Sequence, residues 1–251
     1  MSWSNENVWG SLHRFGTPGD YVYAYASNRA QTPVLYVSFW DAVRYANWLH
    51  NGKPTGPQGP ETTEDGAYTL TPEAIENNTV FRNARAKFFI PNQDEWYKAA
   101  YYKGGSTDAG YWLYPTQSDI APRASRPPGT VNSANYNFAV GNSTDVAAYV
   151  GTIGPYGTYG QAGNALEWVE NVRGTESRSR SLRGGGYYDG AEELAAVTLD
   201  GWAPWSGLQT FGFRIATVPE PNAWVLMLLA ISACLNSIRT RRPARGLPRQ
   251  A

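Results

Sequence analysis

The stretch QAGNALEWVENVRGTESRSRSLRGGG, residues 161–186, does most to restrict what this chain can become. Its first half, Gly163-Asn164-Ala165-Leu166-Glu167-Trp168, sets one carboxylate among backbone carbonyls that a glycine leaves sterically open. That suits a hard cation needing several oxygen ligands. Its second half, Leu182-Arg183-Gly184-Gly185-Gly186-Tyr187, is a short strand-like segment running into glycines, where the backbone must pass close to something else.

Composition narrows the partners and the chemistry. The 251 residues, 42% hydrophobic, can bury one sizeable core, and one domain plus a tail is the organisation expected, over 1–217 and 218–251. The formal charge of zero hides an asymmetry. The tail holds Arg239, Arg241, Arg242, Arg245 and Arg249 against Glu220, so the body keeps 16 of the 21 basic and 20 of the 21 acidic residues, a net of −4. Nucleic acid is therefore not an expected partner. The single cysteine, Cys234, lies in the tail, which leaves the body without a disulfide framework or thiolate metal site. His13 and His50 are too few for a three-histidine centre.

Local patterns predict an α+β domain with much irregular loop. The alternation over 21–25 (YVYAY) predicts a strand, and 34–37 another. Ser38, with Asp41 three residues on, caps a helix whose Phe39, Ala42, Val43, Ala46 and Leu49 share one face. Asn92 and Glu95 start a second helix presenting Trp96, Ala99 and Ala100 inward. Residues 51–68, rich in Pro, Gly and Thr, read as a surface excursion, and 104–160 as a long loop that is functional or externally held. Arg173, Arg178 and Arg180 read as solubilising charge on a Ser-rich loop.

Four segments in order resemble the formylglycine-generating enzyme (sulfatase-modifying factor) family: PVLYVSFWDA from Pro33, FIPNQDEW from Phe89, GNALEW followed by LRGGG, and the closing Gly212-Phe213-Arg214-Ile215. The resemblance covers about 33–216. It implies that family's variant of the C-type lectin fold, with short antiparallel strands and two main helices. Family members begin with a further strand and helix carrying an E-V-T segment; its lack here implies a truncated or misplaced start and with it a lost signal peptide, since the first ten residues are polar.

The same resemblance assigns calcium ligands to Gly163, Ala165 and Glu167, and a second calcium position to Asn135, Tyr136 and the Tyr149 carbonyl. The family's aspartate there falls on Ala147, with Asp145 as the nearest substitute. The alternative for Glu167 is a buried carboxylate satisfied by backbone N–H groups. The two cysteines with which the family binds copper(I) and oxidises a substrate cysteine fall on Asp189 and Leu194, so no copper and no such catalysis are expected. Tyr187, Tyr188, Trp202 and Trp205, with Asp189 and Glu193, then read either as a surface that stacks on a sugar or holds a peptide, or as ordinary packing. A rival reading keeps an oxidative protein-modifying enzyme with rearranged catalytic residues.

Past the domain, Pro219-Glu220-Pro221, an apolar run over 223–238 and the arginines resemble the PEP-CTERM sorting signal read by an exosortase. The resemblance implies a bacterial envelope or extracellular protein, a short membrane helix, a cytoplasmic arginine end and the body outside. The run spans roughly 24 Å as a helix, a little short of the ~30 Å hydrocarbon core.

Overall fold

The computed structural model describes residues 12–17, 20–25, 29–174 and 178–218. The chain divides between Thr217 and Val218, and Met1–Thr217 forms one compact unit. The sorting motif Pro219, Glu220, Pro221 and the apolar run lie outside the described residues. Among the described residues no helix is long and apolar enough to cross a membrane.

The unit opens with an antiparallel hairpin, β1 (Leu12–Thr17) and β2 (Asp20–Tyr25), in which Thr17 pairs with Asp20. Helix α1 (Phe39–His50) begins on the expected capping box: Asp41 N–H donates to Ser38 Oγ, and the Asp41 carboxylate accepts from Ser38 N–H. Its Phe39, Ala42, Val43 and Ala46 are fully buried, and so is Asn47, whose amide donates to the Thr63 and Tyr68 carbonyls. That polar anchor ties down the 51–68 excursion, which contains a single wide turn at Pro60–Glu64 and ends with Ala67 and Tyr68 in the core. After the short α2 (Pro72–Glu76) and β3 (Phe88–Phe89), helix α3 (Gln93–Tyr101) repeats the device with Asn92 and Glu95, and buries Trp96, Ala100 and Tyr101.

Residues 34–37 do not form the expected strand. Tyr36 takes a left-handed backbone (φ 60°), and irregular bonds hold the segment in place: Tyr36 N–H to Leu208 O, Val37 N–H to Phe211 O, and Trp168 Nε1–H to Val37 O. The 104–160 segment carries two two-residue strands, β4 (Arg123–Ala124) and β5 (Ser133–Ala134), paired in parallel.

The central sheet is β6 (Leu166–Arg173), β7 (Ser179–Arg183), β8 (Asp200–Trp202) and β9 (Phe211–Phe213), in the order β8-β7-β6-β9. The β6–β7 and β7–β8 pairs are antiparallel as expected, whereas β9 runs parallel to β6 because the connection over 203–210 carries the chain from β8 at one edge of the sheet to the other edge. A last strand, β10 (Ala216–Thr217), pairs antiparallel with β3. The main core lies between α1 and this sheet, around Phe39, Trp168, Leu182 and Phe211.

Arg180 corrects the sequence reading. Arg173 and Arg178 are exposed, but Arg180 is fully buried on β7. Its guanidinium donates to Asn78 Oδ1 (2.6 Å) and to the carbonyls of Val80 (2.7 Å), Asn78 and Glu170, and stacks 4.4 Å above the Phe39 ring. Serine-rich neighbours conceal such a strand, because satisfied donors and an aromatic face offset the desolvation of the charge. Burial still lowers its pKa to about 10.

Candidate functional site

Two features converge where the glycines of 184–186 pass the GNALEW turn. The first is the turn itself. Gly163 has φ 70°, and a Cβ there would stand 2.2 Å from the Asn135 carbonyl oxygen, so the close approach requires glycine. Asn164 N–H donates to that carbonyl (2.8 Å). Its side chain then organises the loop: Oδ1 accepts from Thr144 N–H and Asn135 Nδ2, while Nδ2 donates to the Thr144 carbonyl. The external hold anticipated for 104–160 is supplied here by an asparagine.

Glu167, one strand residue on, is buried at 6% exposure. Its carboxylate is satisfied by side chains, not by backbone N–H groups. Trp96 Nε1 donates to Oε2 (2.7 Å), and Arg214 donates through Nε to Oε2 and through a terminal nitrogen to Oε1. The sheet register explains the meeting. Glu167 pairs with Gly212 on parallel β9, and Arg214, two residues further, shares that face and reaches back across a residue without a side chain. Arg214 also donates to the Tyr159 carbonyl (3.2 Å).

The second calcium set is brought together only in part. A cleft of about 330 Å³, its open mouth included, is lined by Asn135, Thr144, Asp145, Tyr149, Thr152 and Asn164, among others. Asn135 Oδ1 is buried there without a hydrogen-bond partner. An orphaned amide oxygen beside a carboxylate fits a hard cation. The Tyr149 carbonyl, however, already accepts from Thr152 N–H and Oγ1, and Tyr136 does not line the cleft, its hydroxyl donating to the Pro122 carbonyl.

Of the predicted ligand-face residues, the structure sets Tyr187 against Tyr188 and brings Glu193 within range of the Asp189 charge, while Trp202 packs on Phe211 instead. Tyr187 is buried and meets Tyr188 edge-on, with ring centroids 5.6 Å apart. Phe138, which sequence reasoning missed, stacks on Tyr188 at 6.0 Å with 65% of its surface exposed. Asn137 and Phe138 both have positive φ (49° and 56°), and their N–H groups donate to the Asp189 and Tyr187 carbonyls. A left-handed phenylalanine is a strained choice, held here by two backbone bonds to the face it decorates. The Asn-Phe pair following Tyr136 is the only sequence signal for it.

Asp189 accepts from Gly186 N–H (2.7 Å). Burial, then Asp200 and Glu192, hold its carboxyl above the usual range. Glu193 is raised likewise, by burial and then by Asp200, Asp189 and Glu192. Trp202 lies edge-on to Phe211 and is 45% exposed; Trp205, on the turn after Pro204, is 62% exposed. Leu194 is fully buried, packed with Ala134 and Tyr136, and a Cβ on Gly185 would stand 2.7 Å from its Cδ1.

Residues 14–218 match the family model of the sulfatase-modifying factor enzyme 1-like domain. The chain belongs to that family. The match begins ahead of Pro33, within β1, and takes in all of β2. Among solved structures, Treponema denticola variable protein 1 is similar at 22% identity and a TM-score of 0.53, over 78% of this chain and 74% of that one. CarF is similar at 22% identity and 0.52, over 83% and 75%. These likenesses are of fold, and they bear out the α+β sulfatase-modifying-factor architecture. No curated protein matches.

Within this sulfatase-modifying-factor domain, the two positions that the resemblance gives to copper-binding cysteines do not fit the ion. Asp189 offers hard oxygen already bonded to Gly186, and Leu194 offers hydrocarbon sealed in the core.

Proposed function

We propose that this chain is a non-catalytic member of the sulfatase-modifying factor family that binds a glycan or peptide on its aromatic face, or serves as a matrix component outside the cell. The observation that carries the reading is the filling of the would-be thiol positions by a backbone-bonded carboxylate and a core leucine. Thiol oxidation has no nucleophile at these two positions to start from. What remains accessible is the Phe138–Tyr188 stack beside Asp189, a flat apolar surface next to a hydrogen-bond acceptor, which suits a sugar ring or an extended peptide. Calcium at the Asn135–Asp145 cleft would brace the loop that displays Phe138.

Export rests on the order of Pro219-Glu220-Pro221, the apolar run and the arginines. That order supports handling by an exosortase-type machinery, transient or lasting membrane attachment through the tail, and a bacterial envelope or extracellular location for the body. Cell fractionation with intact-mass analysis of the carboxyl terminus checks it; a wholly cytoplasmic, unprocessed chain overturns it.

Two assays test the function. A cysteine-containing sulfatase-type peptide, incubated with the protein, copper(I) and oxygen, should yield no aldehyde, and aldehyde formation would establish the enzymatic reading instead. On a glycan and peptide array, wild-type signal should fall at least tenfold in Phe138→Ala and Tyr188→Ala. Signal unchanged by both substitutions removes the aromatic face as the binding surface, and a silent array leaves the matrix role.

A further inference from the structure

The Glu167 carboxylate, which the family resemblance would give to a calcium ion, is met by the guanidinium of Arg214, from the closing segment of the same resemblance. We infer that the Arg214 guanidinium takes the place of the cation at Glu167, so that the GNALEW turn is closed by an internal ion pair and binds no metal there. Arg214 engages both carboxylate oxygens, the two-point geometry in which a planar guanidinium matches a carboxylate, and Trp96 Nε1 adds a third donor. Three donors, two of them from one cation, occupy most of the carboxylate's lone pairs and offset its charge, which leaves little for a divalent ion that needs both. One of the two backbone ligands is engaged as well, since the Gly163 carbonyl accepts from Ala165 N–H (2.8 Å).

The arrangement is built, not incidental. Glu167 is 8% exposed and Arg214 23% exposed at the side chain. The register that sets Gly212 opposite Glu167 opens the path for the arginine, and the same guanidinium fastens the Tyr159 carbonyl on the far side of the turn. Arg214 thereby links β6, β9 and the 159–164 segment, as a multidentate cation would. The Asn135–Asp145 cleft keeps its orphaned oxygen and is a separate matter.

The test uses the full chain. Bound calcium per chain, measured by equilibrium dialysis, should be the same in wild type and Glu167→Gln, whether that number is zero or one; loss of a bound calcium in the variant overturns the inference. In thermal melts, Glu167→Gln and Arg214→Gln should each lower Tm by roughly 5–15 °C, equally in EGTA and in millimolar calcium. The double variant should fall no further than the worse single one, because each single change strands the other charge. A Glu167→Gln loss that appears only with calcium, or additive losses in the double variant, overturns it. Should Glu167→Gln fail to fold, Arg214→Lys, which keeps the charge without the fork, is read in its place: a calcium-independent fall in Tm supports the ion pair, and full Tm with calcium but not with EGTA refutes it.

Discussion

At the residue scale, the outcome of a substitution is decided by what each atom already touches. Leu194 is fully buried against Ala134 and Tyr136, so Leu194→Ala should cost about 2–5 kcal/mol as a core cavity, measured by denaturant unfolding. Gly163→Ala should cost more than about 1 kcal/mol, because it combines a left-handed backbone with a Cβ 2.2 Å from the Asn135 oxygen. Glu193 makes the opposite prediction. Its folded carboxyl is raised by burial and by Asp200, Asp189 and Glu192, so the fold favours its protonated form. The stability this contributes is present below the ordinary carboxylate range and is lost as pH rises through the raised folded value. Glu193→Gln cannot ionise. It should raise Tm at neutral pH while leaving Tm at about pH 4 unchanged; an equal change at both pH values would mean that neither burial nor the neighbouring carboxylates raise the Glu193 carboxyl.

At the scale of elements, the two long helices were legible, whereas α2 and most of the central sheet were not. Ser38 with Asp41 and Asn92 with Glu95 advertise helix starts through chemistry confined to four residues, and both capping boxes form. Ser38→Ala should therefore cost about 1 kcal/mol in unfolding free energy, with a change of under a few tenths removing the cap from the account. Of strand β7 only the end, Leu182-Arg183, was legible, because the rest owes its burial to residues a hundred positions away: the Arg180 donors are satisfied by the Asn78 and Val80 carbonyls, and its guanidinium lies on an aromatic face that no local pattern announces. Residues 34–37 failed in the other direction, since an apolar run that looks extended is broken by the left-handed Tyr36. The site divides similarly. GNALEW and the 187–189 aromatics stand out in sequence, but Arg214 lies 47 residues from Glu167 and is brought to it only by parallel pairing, and Phe138 joins Tyr188 only through a loop whose course Asn164 sets.

At the scale of the whole molecule, the folded unit and the family match end within a residue of one another, at Thr217 and residue 218. The closing contacts are short but topologically important. Strand β10 pairs Ala216 with Phe89 and Thr217 with Phe88, returning the end of the chain to the segment that precedes α3. Two residues before β10, Arg214 is fixed to Glu167 and Tyr159. A chain ended after Val218 retains every one of these contacts and should melt in one cooperative transition within about 2 °C of the full-length protein. Ending it after Phe213 removes β10 and strands a buried carboxylate against Trp96, an uncompensated charge worth about 3–5 kcal/mol, which corresponds to a Tm fall of roughly 6–20 °C. Scanning calorimetry of the two truncations decides the matter. If the longer one melts well below the full chain, residues beyond 218 contribute to the fold; if the shorter one melts like the longer, the final strand and the Arg214 ion pair do not close it.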